Sequence, residues 1–182
     1  FYLTITAYYV LKPARNTLFI NYLGANNLPY VYLTIAIISY FLSTLYARCS
    51  SRFDNNKLVT ISLLICIGSL LVFRWAFHLN HPVLLPLVSF LFYIWVTLFS
   101  ILTVTQFWVL ANDVFDSRAA KRLYGFVGSG GILGGMTGGF IASQAKRFNT
   151  ENLLLIACEY IVLMLVLFNI IWSREKKNFI TQ

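Results

Sequence analysis

Four side chains near the start of the chain have types and spacing suited to chemistry. Tyr8, Lys12, Arg15 and Asn16 lie in FYLTITAYYVLKPARNTLFINYL, residues 1–23. Their i, i+4, i+7, i+8 spacing puts them on one face of a helix. Two cations, an aromatic ring and an amide on one face suit a ligand bearing phosphate or carboxylate groups. Arg offers such a ligand a planar fork of donors, and Lys a compact point charge. The segment is long enough to cross a bilayer, which takes roughly 20 residues at about 1.5 Å each. A cation at its centre costs at least about 2.5 kcal/mol, so it persists where it faces a protein interior or an aqueous path. Pro13 removes a helical N–H and frees a carbonyl beside both cations, which a cavity or a neighbouring helix must satisfy. The plainer alternative is that the cations pair with acids on other helices. Glu159, in LLLIACEYIVLML, is the only acid inside a predicted span and can neutralise one of them at most. It is a candidate for proton coupling or charge balance, with a structural hydrogen bond as its alternative.

The elements that must position these residues are membrane helices. Hydrophobic residues make up 59% of the 182 and charged residues 11%, against about 25% charged in soluble domains; the mean hydropathy is +0.73. Six apolar segments are predicted, over residues 1–23, 28–46, 58–78, 83–110, 122–143 and 152–172. The connections 47–57 and 112–122 and the tail after residue 172 hold nine of the 14 basic residues. The positive-inside rule therefore places both ends and these connections in the cytoplasm. The net charge of +8 is explained by that bias, and nucleic acid is not expected as a partner. Cys49, Cys66 and Cys158 are far apart, and His78 and His81 flank one short connection. Neither set has metal-ligand spacing, so no metal or cofactor is expected. The segment starts in an apolar stretch without Met, which predicts a piece of a longer chain.

Further patterns bear on the fourth and fifth helices. Thr97, Ser100, Thr103 and Gln106 recur every three residues. They either line a polar cavity or bond to their own helix carbonyls. Asn112 and Asp113, with Lys121 and Arg122 across the next connection, fall at the cytoplasmic mouth. GFVGSGGILGGMTGG carries eight of the ten glycines. Gly130, Gly134 and Gly138 form one ladder of small residues, and Gly131, Gly135 and Gly139 another, and such ladders let helix backbones approach closely. A phosphate-cradling loop is excluded, because there is no Gly-x-x-x-x-Gly-Lys pattern and no strand before it. Ala47, Ser51, Arg52 and Asp54 fall on positions of the Gly-x-x-x-Asp-Arg-x-Gly-Arg-Arg motif of major facilitators, with a lipid headgroup anchor as the alternative.

YYVLKPARNTLFINYLGANNLPY resembles the first-helix region of the nucleotide (ATP/ADP) translocases. FWVLANDVFDSRAAKRLYGFVGSGG resembles their connection between helices four and five, through Phe107, Trp108, Ala111, Asn112, Ala120, Lys121, Arg122, Tyr124 and Gly125. The family's Lys-Asp pair of the first helix falls on Arg15-Asn16, keeping the charge and losing the acid. Asn26 stands where an acid is expected, and no glutamate stands near Val96. These departures keep an anion-binding role and leave room for another phosphorylated cargo. The resemblance implies an all-α membrane protein, the N-terminal six-helix half of a twelve-helix major facilitator-type transporter; a bacterial inner membrane is expected because no mitochondrial or plastid presequence is visible. Its implied partners are a small anionic solute, the lipid bilayer and a C-terminal transporter half. The expected activity is transport of a phosphorylated anion by alternating access, not enzymatic catalysis. A proton-coupled solute or drug antiporter, and a non-transporting anchor or sensor, are the alternatives.

Overall fold

The computed structural model of the chain describes residues 1–50, 55–114 and 117–180, with side chains described except at 55, 113–114, 117–122, 145–151 and 174–180. The described residues form six α-helices: α1 Tyr2–Leu23, α2 Leu28–Ser50, α3 Asn55–His78, α4 Leu84–Val114, α5 Ser117–Ser143 and α6 Ala145–Ile180. A single 3₁₀ turn, Ala25–Asn27, joins α1 to α2. Each helix matches one predicted apolar segment, and several run on into the flanking polar residues. Backbone hydrogen bonding continues where hydrophobicity stops, and α6 reaches 36 residues for that reason. Gly24, at φ 78°, ends α1 and donates its N–H to the Ile20 carbonyl. Asn80, at φ 46°, makes the turn between α3 and α4, a conformation that asparagine tolerates better than most residues.

Five of the six helices are apolar and long enough to cross a membrane, and α1 falls outside that set. Its Thr, Asn, Lys and Arg residues lower its hydropathy, and its position accommodates them. α1 packs against α4, α5 and α6 together, and buries Thr4, Thr6, Ala7, Val10, Leu11, Ala14, Arg15 and Phe19. A helix enclosed by other helices meets protein side chains where a peripheral one meets lipid, so it can carry Thr, Asn and charge. α2 shows the opposite balance: it packs mainly on α4 and exposes Tyr30, Leu33, Ile37, Tyr40, Phe41 and Leu45. The main core joins α1, α3, α4 and α6 through residues such as Leu11, Leu63, Phe92 and Ile161. A smaller core of Phe19, Val31, Ile35, Tyr93 and Ile94 ties the end of α1 to α2 and α4.

α1 runs antiparallel to α4, since Phe1 meets Phe107 at one end and Phe19 meets Phe90 at the other. It runs parallel to α5, as Phe1 meets Gly131, Tyr2 meets Gly134, and Thr6 and Tyr9 meet Gly138; the Tyr2 hydroxyl also donates to Thr137 Oγ1 at 3.1 Å. The seam between α1 and α5 is made by backbone. A Cβ on Gly134 would lie 2.6 Å from the Tyr2 carbonyl oxygen, and one on Gly138 would lie 2.7 Å from the Thr6 carbonyl oxygen. Gly130 is looser, its nearest neighbour being 3.9 Å away, and Gly139 meets nothing within 4 Å. Replacing Gly134 or Gly138 by Ala is therefore expected to destabilise the full-length protein by about 1–3 kcal/mol through overpacking. Gly139→Ala should be neutral or stabilising by up to about 1 kcal/mol from helix propensity. Thermal unfolding in detergent checks both, and equal midpoints for Gly138→Ala and Gly139→Ala would show that the seam does not need glycine.

Candidate functional site

Arg15 lies past the middle of α1 and is only 7% exposed. Its guanidinium carbon sits 4.5 Å from the centre of the Tyr93 ring and 5.8 Å from that of Tyr8. Both are within cation–π range, where desolvated pairs contribute about 2 kcal/mol. Nη1 donates to Thr97 Oγ1, and Nε is buried with no acceptor. Tyr93 is itself 2% exposed and held by two neighbouring aromatic residues. Phe19 meets its ring edge-on at 5.1 Å, Tyr32 does so at 6.2 Å, and the Tyr93 and Tyr32 hydroxyls lie 3.2 Å apart. Arg15 thus lies against two rings, of which Tyr93 is itself packed in place.

Lys12 is differently placed. It is half-buried, and its Nζ lies 5.8 Å from the Tyr8 ring centre and 5.5 Å from that of Tyr9. Among the described residues it donates no hydrogen bond. Tyr8 therefore lies against both cations. Asn16 is half-buried, and its Oδ1 has no donor. Pro13 is exposed beside them. Glu159, the one described carboxylate, is exposed on α6 and makes no ion pair with Lys12 or Arg15.

The polar series on α4 divides. Thr97, Ser100 and Thr103 donate to the carbonyls of Tyr93, Thr97 and Phe99 at 3.0, 2.8 and 2.8 Å, so most of their capacity stays within the helix. Gln106 reaches across to Ser62 on α3. Thr103 and Gln106 line a cavity of about 400 Å³ with Thr4, Met164 and Phe168, apart from the cations and mostly apolar. Asn112 is exposed near the end of α4. The side chains of Asp113, Lys121 and Arg122, the motif residues Ser51, Arg52 and Asp54, and the connection at Asp116 lie outside the described ones. Phe107, Trp108 and Tyr124 form an aromatic cluster, with ring centres at 5.3 and 5.5 Å, joining α4 to α5. Sequence reading missed Tyr93 and Tyr32. An aromatic in an apolar helix gives no sign that it faces a cation on another.

No curated protein and no solved structure matches the chain. The model of one family does, TLC ATP/ADP transporter, over residues 84–174. That stretch runs from the start of α4 through most of α6 and includes Tyr93, Thr97 and the glycine ladder, while Lys12 and Arg15 lie ahead of it. With half of its length matched, the chain belongs to the TLC ATP/ADP transporter family.

Proposed function

We propose that this chain is the N-terminal six-helix half of a major facilitator-type transporter that moves a phosphorylated anion, of which ATP and ADP are the first candidates, by alternating access. Family membership supports a multi-pass membrane protein of nucleotide transport, and a transporter in place of an enzyme. The observation that carries the cargo's charge is the pair Lys12 and Arg15 on the central helix. Neither has a carboxylate partner among the described residues. Positive charge buried without a counter-ion is costly, and an anionic cargo offsets it. Lys12, held only by ring faces, is the direct contact. Arg15 supplies the second charge, Tyr8 the stacking surface and Asn16 a hydrogen bond. Cargo would sit near the midplane against a C-terminal half, as repeat-built transporters arrange their sites. Asn112, Asp113, Lys121 and Arg122 would form the cytoplasmic mouth, with both ends in the cytoplasm of a bacterial cell.

Binding to the native state raises stability, by about 2.7 kcal/mol at a hundred times Kd. ATP and ADP are therefore expected to raise the Tm of the purified full-length protein by a few degrees, with a neutral nucleoside ineffective. Lys12→Ala and Arg15→Ala should each remove most of that rise while leaving membrane insertion intact. Stabilisation that survives both replacements would remove the assignment.

The exposed Glu159 gives the proton-coupled antiporter reading its one foothold, since a lone carboxylate on a membrane helix is expected to have a function. It makes no ion pair with Lys12 or Arg15, and we assign it no part in proton coupling. Glu159→Gln is expected to preserve nucleotide uptake into liposomes at every pH tested. Lost uptake together with a flattened pH profile would transfer the chain to the proton-coupled class.

A further inference from the structure

The hydroxyl of Thr97 has one proton, and it is committed. Thr97 Oγ1 donates to the Tyr93 carbonyl at 3.0 Å, one turn back along α4. What remains on that oxygen is acceptor capacity alone, and it meets Arg15 Nη1, a group that can only donate. The donor and acceptor roles are fixed on both sides, so the contact has one orientation. Tyr93 then touches the guanidinium twice, through its ring face at 4.5 Å and through the carbonyl that orients Thr97. Tyr93 cannot turn away, because it is 2% exposed and packed by Phe19 and Tyr32. The result is a guanidinium held on one edge and one face, with Nε–H left without an acceptor. A neutral hydroxyl holds Arg15 without cancelling its charge, as a carboxylate at the same place would.

We propose that Thr97 is the positioning residue of the anion site, holding Arg15 at full charge against Tyr93 so that it acts together with Lys12 on one oxyanion group. The proposal rests on the anion-site reading of Lys12 and Arg15. It predicts a change in affinity more than in turnover. A hydrogen bond to a charged group is worth roughly a tenfold change in binding, so Thr97→Val in the full-length transporter in liposomes should raise KM for ATP roughly tenfold with kcat little changed. Thr97→Ser, which keeps the acceptor, should restore the wild-type KM. In an Arg15→Gln background Thr97→Val should add no further loss, because the two residues act as a unit. A Thr97→Val variant with wild-type KM, a loss confined to kcat, or the same loss persisting in Arg15→Gln would overturn the role. If Thr97→Val does not insert, Thr97→Ala, which also removes the acceptor, gives the same comparison with the same readings. ATP binding that survives Lys12→Ala and Arg15→Gln would instead remove the anion site itself. That pattern differs from one in which these variants fail and the Thr97 variants are silent.

Discussion

A guanidinium buried in the middle of a helical bundle has to be given partners by the rest of the protein, and in this chain that demand shapes the architecture. Arg15 is 7% exposed, so its hydrogen-bonding and charge demands fall on its neighbours in the bundle. Its partners come from α4, with Tyr93 supplying a ring face and Thr97 an oxygen. Meeting them requires α1 and α4 to lie antiparallel in close contact, and the aromatic pairs Phe1–Phe107 and Phe19–Phe90 hold that alignment at both ends. Once α1 is drawn into the centre, its other faces need cover. α6 supplies part of it through Met164, which takes the Thr4 hydroxyl, and α5 supplies the rest.

The two sides of α1 are satisfied by opposite means. Toward α4 the contact is made by large rings and a polar bond between side chains. Toward α5 it is made by removing side chains, so that Gly134 and Gly138 admit the Tyr2 and Thr6 carbonyls. Glycine is a poor helix former, by up to about 1 kcal/mol per residue, and eight of them in one helix leave α5 dependent on its packing. The site and the seam are thus one arrangement. The helix that carries the charges is held on one face by aromatic mass and on another by bare backbone.

Much of this could be read in the sequence, and the limits of the reading have a common cause. The six helices follow from runs of apolar residues, a local signal. The shared face of Tyr8, Lys12, Arg15 and Asn16 follows from helical spacing, also local. Which side chains meet that face is decided by helix pairing over a separation of 82 residues, as for Arg15 and Thr97, and no periodicity within either helix encodes it. Thr97 was visible as a member of a polar series, but its neighbours Ser100 and Thr103 bond within their own helix and it alone of the three also receives a cation. Tyr93 was invisible because a ring facing a guanidinium and a ring facing lipid look the same in a sequence. The exposure of Glu159 was equally out of reach, since α6 is apolar around most of its circumference. Helix ends were drawn short wherever hydrophobicity ran out before hydrogen bonding did, as in α2, α5 and α6.

The separations along the chain also carry a consequence for biogenesis. α1 is synthesised before any of the helices that cover it, and it is the one helix that lies outside the set apolar enough to be held by lipid alone. Its arginine waits 82 residues for Thr97, and Tyr2 waits 135 for Thr137 on the glycine helix. During that interval Lys12 and Arg15 have only the rings of their own helix beside them, and Arg15 lacks both Tyr93 and Thr97, so the insertion machinery, or a loose association with α2 and α3, has to keep the segment at the membrane. The last helices to emerge therefore complete the burial of the first, and assembly of this bundle closes late, around its earliest segment.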